Sequence, residues 1–201
     1  MTFDIMLSVA KRVNELLPGN DVDGIVITHG TDTMEDTAFF LNLVVKSDKP
    51  VVVVRSMRPS TAISADGPLN LYNAVGVARD PRSKGRGVLV VMNDWIHAAH
   101  SLTKTSTTDV QTFMSPLRGL VGVSSYGSND FYNVPPWKHT TTSVRSSRVA
   151  LGTVGRNVEI NDDQLGFVAS DELNPQSRIL LSLALLKPRP ASELQQLFST
   201  Y

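Results

Sequence analysis

Apolar residues near the start of the chain, at Phe3, Met6, Leu7, Val9, Ala10, Val13, Leu16 and Leu17, recur with the spacing of one helical face and predict an amphipathic helix. Pro18-Gly19-Asn20-Asp21 ends it in a turn. The short apolar run Gly24-Ile25-Val26-Ile27-Thr28 suggests a strand buried on both faces. Met34 to Lys46 predicts a second helix, with Phe39, Phe40, Leu43 and Val44 on one side. Val51 to Val54 is the next strand, Arg55 to Gly67 a polar loop, Leu69 to Arg79 a third helix and Gly87 to Met92 a third strand. Helix and strand alternate, which predicts an α/β fold with a parallel sheet and right-handed crossovers.

From Asn93 to about Val134 the pattern changes to polar, Thr-rich pieces broken by glycine, and hairpins fit it best. Pro135 to Thr140 reads as the edge of a domain. Beyond it lie a strand at 144–149 and helices at about 175–186 and 192–198, the first opened by Pro175. The expected division is a larger domain over 1–140 and a smaller one over 141–201. The second is too short to bury a comfortable core of its own. It must lean on the first part or on a partner subunit, or be incomplete.

Composition adds limits. Hydrophobic residues make up 41% and charged residues 19% of the 201 positions, and 19 Lys and Arg balance 19 Asp and Glu. That is an ordinary globular composition, with no bias toward nucleic acid or a membrane surface. The absence of cysteine excludes disulfides, a thiolate nucleophile and cysteine-based zinc sites. His97 and His100 are three apart in a polar stretch with no third ligand in view, and read as surface or hydrogen-bonding histidines. No apolar run is long enough to span a membrane. The first residues have no basic-then-apolar leader pattern, so the default expectation is a cytoplasmic chain.

Three polar clusters stand where chemistry is expected. Thr28-His29-Gly30-Thr31-Asp32-Thr33 follows the first strand, and ligands bind at the carboxyl ends of strands in parallel sheets. Thr31 can supply a hydroxyl and Asp32 can hold an ammonium. The competing reading is a capped helix, with Thr31, Asp32 or Thr33 at the cap and Glu35 or Asp36 satisfying the dipole. Arg58 to Gly67 is either a ligand rim or a structural loop ending in a cap at Ser64 or Asp66. In Thr103-Lys104-Thr105-Ser106, the lysine can activate a hydroxyl, or the segment is a polar hairpin. Taken singly, none of the three is specific.

Taken in order they are specific. ITHGTDTMEDTAFFL, SMRPSTAISADGPLNLYNAV, GVLVVMND and LTKTSTTDVQTF resemble the bacterial-type asparaginase/glutaminase family, as do VRSSRV, GFVAS, LNPQSRILLSLAL and LQQLFSTY in the tail. The resemblance covers nearly the whole chain. It implies hydrolysis of the side-chain amide of asparagine, and in some members glutamine, without cofactor or metal. By the motif match Thr31 is a catalytic hydroxyl paired with Lys104, and Asp32 binds the substrate α-ammonium and poises Lys104. Ser56 lines the amide end of the pocket, and Glu159 reaches the α-ammonium from a neighbouring subunit. The family fold is a larger and a smaller α/β domain, assembled as a homotetramer with sites between subunits. The family includes exported members.

Three departures accompany the match. A strand with a Thr-Gly-Gly-Thr-Ile type motif, carrying the other hydroxyl and usual nucleophile of the family, has no counterpart in this sequence, nor has the Ser-Gln pair that follows it. The segment between Thr140 and Val144 replaces a linker and the first part of the smaller domain. Arg55 stands where the family has glycine, one residue from Ser56. The expectation that follows is an asparaginase lineage whose first strands and part of whose smaller domain are absent, so that the sheet has an open edge. The family implies asparagine hydrolysis; the alternative expectation is a chain that turns over little on its own and acts at most as an amino-acid binding or subunit-pairing module.

Overall fold

The computed structural model describes residues 1–135, 145–147, 169–173 and 190–198. It divides into two compact units, Met1–His139 and Thr140–Tyr201.

In the first unit, helix α1 (Phe3–Leu16) begins at Thr2, whose hydroxyl accepts the Ile5 N–H at 3.4 Å. Its buried face, Met6, Ala10 and Val13, follows the apolar spacing. Asn14 reaches from it to the end of helix α2 (Met34–Val44): its Nδ2 donates to the Val44 carbonyl at 3.0 Å, and its Oδ1 accepts the Lys46 N–H at 2.8 Å. One side chain thus serves backbone groups that the helix end leaves without partners. Phe3 meets Phe40 edge-on, with ring centroids 5.6 Å apart.

Strands β1 (Ile25–Thr28), β2 (Val51–Val54) and β3 (Val88–Met92) pair in parallel. β2 and β3 are buried at every residue, as their unbroken apolar runs require. Helix α3 (Gly67–Arg79) packs Ala74, Val77 and Ala78 into the core with Val52, Leu89 and Val91. A turn of 3-10 helix (Pro81–Ser83) follows it.

Most of the hairpin region joins the same sheet. Strands β4 (Trp95–Ala98), β7 (Gly122–Ser125) and β8 (Ser128–Phe131) extend it antiparallel, giving the order β1-β2-β3-β4-β7-β8. The cause is local. Asn93 and Asp94 both have positive φ (49° and 65°), as do Tyr126 and Gly127 (49° and 77°). Two consecutive positive-φ residues make the tight turn that sends a strand straight back beside its predecessor. A separate pair, β5 (Thr103–Lys104) and β6 (Phe113–Met114), forms a small antiparallel ribbon. The fold is therefore α/β with a mixed sheet, parallel over β1 to β3.

β1 is the edge of the described sheet, with Ile25, Val26 and Ile27 only half-buried. The surface reading of His97 and His100 is overturned, while the hydrogen-bonding one holds for His97. Both are buried, His97 lies on β4 and not in a loop, and its Nδ1 pairs with the Ser115 hydroxyl at 2.8 Å. A strand between two covered faces buries whatever its inward positions carry.

In the second unit, β9 (Arg145–Ser147) and β10 (Ala169–Leu173) pair in parallel, and helix α4 (Ala191–Phe198) lies against β10. The helix expected at 175–186 lies outside the described residues.

Candidate active site

Parallel pairing sets Thr28 beside Val54, so the loops that follow β1 and β2 leave the sheet side by side. The His29 N–H continues the ladder to the Val54 carbonyl at 3.0 Å. Residues 30–33 and 55–58 are thereby neighbours at the carboxyl edge.

The loop after β1 does not use its polar side chains as a cap. Thr33 holds the N-cap position of α2 and makes no side-chain cap bond. Thr31 and Asp32 turn instead to Lys104 on β5. The Lys104 ammonium donates to Thr31 Oγ1 at 3.1 Å and to Asp32 Oδ1 at 2.9 Å, and the Thr31 hydroxyl donates to Asp32 Oδ1 at 3.2 Å. The result is a closed triangle of hydroxyl, carboxylate and ammonium. Thr31 is buried, the Lys104 side chain is 20% exposed and that of Asp32 is 90% exposed, so the triangle offers its carboxylate to solvent. The Lys104 and Thr31 hydrogen bonds hold the Asp32 carboxyl below the usual carboxylate range, and the Arg55 charge adds to this.

Ser56 sits past the end of β2, half-buried. Its loop is fixed by Asp66, which stands at the N-cap position of α3 but does not cap it. The Asp66 carboxylate accepts the Met57 N–H at 2.8 Å and the Arg58 N–H at 2.9 Å. Asn70 Nδ2 donates to the Arg55 carbonyl at 2.9 Å and to Asp66 at 3.2 Å. Arg55 folds onto its own neighbour, Nε donating to the Ser56 carbonyl. Glu159 lies outside the described residues.

The geometry thus brings Thr31, Asp32 and Lys104 into contact and places the Ser56 loop alongside. Sequence reasoning marked Asp66 and Glu35 as helix-start residues without finding their use. Asp66 holds the Ser56 loop, and Glu35 accepts the Lys104 backbone N–H at 2.7 Å. Their only local signal was an acid near a helix start. A groove lined by Tyr72, Gly76, Arg79, Asp80 and Asn129 lies at the other end of α3 and holds no paired hydroxyl and base.

A hydroxyl hydrogen-bonded to both a lysine and a carboxylate, at the carboxyl edge of a parallel sheet, is an arrangement that can activate the hydroxyl as a nucleophile in an α/β enzyme. The family described as "Asparaginase, N-terminal" matches residues 1–136. The chain is 39% identical to L-asparaginase 2 of Escherichia coli over 268 aligned positions, covering 100% of this chain and 76% of that protein. It is 39% identical to the glutaminase-asparaginase of Acinetobacter glutaminasificans over 266 positions, covering 98% of this chain and 80% of that protein. With L-asparaginase 2 of Bacillus subtilis the identity is 62% over 138 residues, covering 68% of this chain and 36% of that one. The chain belongs to the asparaginase family.

Proposed function

We propose that the protein hydrolyses the side-chain amide of L-asparagine, and of L-glutamine as a second substrate, to the acid and ammonia. The observation that carries this reading is the Thr31–Lys104–Asp32 triangle. The names of the relatives, L-asparaginase and glutaminase-asparaginase, supply the substrate class.

Once its ammonium has passed one proton to solvent, Lys104 takes a proton from Thr31 Oγ1, or from a water that Thr31 orients, as that oxygen attacks the amide carbon. The same proton then passes to the leaving nitrogen, which departs as ammonia. Water supplies the oxygen of the product carboxylate. The ammonium form of Lys104 stabilises negative charge developing on the attacking oxygen. Asp32 pairs with the substrate α-ammonium, and its exposure supports this role. Ser56 faces the amide end. Glu159 reaches the α-ammonium from a neighbouring subunit of a homotetramer. Residues 1–140 correspond to the larger family domain and 141–201 to the smaller.

A second reading is a shortened form without turnover that still binds an amino acid or pairs with another subunit. One observation favours it. The alignment with the Escherichia coli protein spans 268 positions, 67 more than the 201 residues of the chain.

The test is ammonia release from asparagine by the purified 201-residue protein, with Lys104→Met and Thr31→Val alongside. Turnover that falls about 100-fold or more in both variants supports the first reading, since a positioned acid–base group contributes about 10²–10⁴. No turnover, with aspartate binding that Asp32→Asn removes, supports the second. Turnover untouched by either variant rejects the assigned residues. Light scattering reads the subunit number.

A further inference from the structure

Lys104 is gripped at both ends by one short segment. Its Nζ lies on Thr31 and Asp32, while its backbone N–H donates to Glu35 Oε2 at 2.7 Å. The Thr103 hydroxyl bonds the same carboxylate. All of these acceptors fall within residues 31–35, the turn into α2. The strand they hold is only two residues long. β5 pairs with β6 alone and takes no part in the six-stranded sheet. A lysine on so short a ribbon depends on something else to set where its backbone stands.

We propose that Glu35 is a positioning residue that docks β5 onto the start of α2 and so sets the reach of the Lys104 ammonium to Thr31. The inference rests on the reading of Thr31 and Lys104 as the reacting pair. Glu35 is half-buried, and burial raises its carboxyl above the usual range; the neighbouring Asp36 raises it further, while the Lys104 and Thr103 hydrogen bonds and the Lys104 charge oppose this. The carboxylate can serve the stability of the fold or the position of Lys104.

Two substitutions separate these possibilities in the full 201-residue protein. Glu35→Gln keeps an oxygen that can accept the Lys104 N–H and removes the charge. Glu35→Leu removes the acceptor and keeps the bulk. Amide exchange at Lys104 reads the docking bond directly, and the NMR signal of the Lys104 εCH2 group, assigned with Lys104→Arg, reads its side-chain environment. In Glu35→Leu, Lys104 amide exchange rises at least 10-fold and the εCH2 signal moves to the position of solvent-exposed lysines, while amides of the six-stranded sheet and of α2 beyond its first turn exchange as in the wild type. In Glu35→Gln, exchange and signal stay near wild type. Where the wild type turns over asparagine, Glu35→Leu lowers kcat at least 10-fold with KM within about twofold. An unchanged Lys104 amide and εCH2 signal in Glu35→Leu overturns the proposal. So does a uniform rise in exchange across α2 and β5 with a lower urea midpoint, which marks a purely structural role. The NMR measurements need no turnover, so a wild type without amidase activity rejects the functional reading and leaves the positioning result to stand by itself.

Discussion

Acidification from pH 7.5 to 5 removes a calculable part of the stability of the first unit through two buried histidines. Burial pushes the His97 imidazole down to about 3, and burial together with the Arg118 charge pushes His100 down to about 4. Each has a ring Nε2 without a hydrogen-bond partner among the described residues. The ordinary value, 6.5, applies once the chain unfolds. Both folded values lie below the unfolded one, so the unfolded chain takes up more protons in this window. The associated stability is fully present above 6.5 and is lost as pH falls through the window toward the folded values. At pH 5 the unfolded histidines are almost fully charged and the folded ones almost fully neutral. At about 1.4 kcal/mol per unit, the loss is about 2 kcal/mol for each histidine and about 4 for the pair. Against a typical total of about 5–15 kcal/mol, that is a large fraction.

The measurement is urea unfolding at both pH values, followed by Trp95 fluorescence in a Trp137→Phe background. Trp95 contacts the His97 ring edge-on at 6.0 Å. Carboxylates titrate in the same range, so the comparison is between wild type and His97→Gln, which keeps a partner for Ser115 and carries no charge. The variant should lose about 2 kcal/mol less than wild type on going from pH 7.5 to 5. His100→Gln should behave the same way and serves if the first variant fails to fold. A pH dependence identical in all three proteins refutes the reasoning.

Three further outcomes are expected. Asn73 is fully buried and ties both tight turns to α3: Nδ2 donates to Asp94 Oδ1 at 2.9 Å and to the Ser124 carbonyl at 3.0 Å, and Oδ1 accepts the Gly127 N–H at 3.0 Å. Asn73→Ala should cost about 3 kcal/mol by urea unfolding, near 1 per lost bond; a cost under about 1 would count against this tie. Gly87 has φ +73°, and a Cβ there would stand 2.3 Å from Asn42 Oδ1, the acceptor of the Val88 N–H. Gly87→Ala should destabilise by about 2–4 kcal/mol, combining backbone strain with the disturbed hydrogen bond; an unaltered melting temperature would contradict it. The Arg55 charge is one of the causes that lower the Asp32 carboxyl, so Arg55→Gly should move the Asp32 titration, followed by NMR at low salt, upward; an unmoved or lower titration would contradict it.

Much of this protein is written in short-range pattern. The valine runs of β2 and β3 can be satisfied only by strands covered on both faces, and the spacing of Met6, Ala10 and Val13 by a helix with one buried face. The order of the motifs along the chain is enough to reach the asparaginase family, because long motifs in sequence order carry information that no single cluster does. What depends on distant neighbours had no such imprint. Thr31 and Lys104 are 73 positions apart, and taken alone the first segment reads as a capped helix and the second as a polar hairpin. Only the packing of β5 against the start of α2 turns Asp32 from a cap into a lysine partner and Glu35 from a dipole-satisfying acid into a backbone anchor. The buried histidines follow the same logic. The pattern reads the region from Asn93 as hairpins and the stretch around His97 and His100 as polar; the positive-φ turn at Asn93 and Asp94 makes the hairpin, and it folds His97 back against β3. Side-chain polarity is local, but burial is decided by which strand lies alongside.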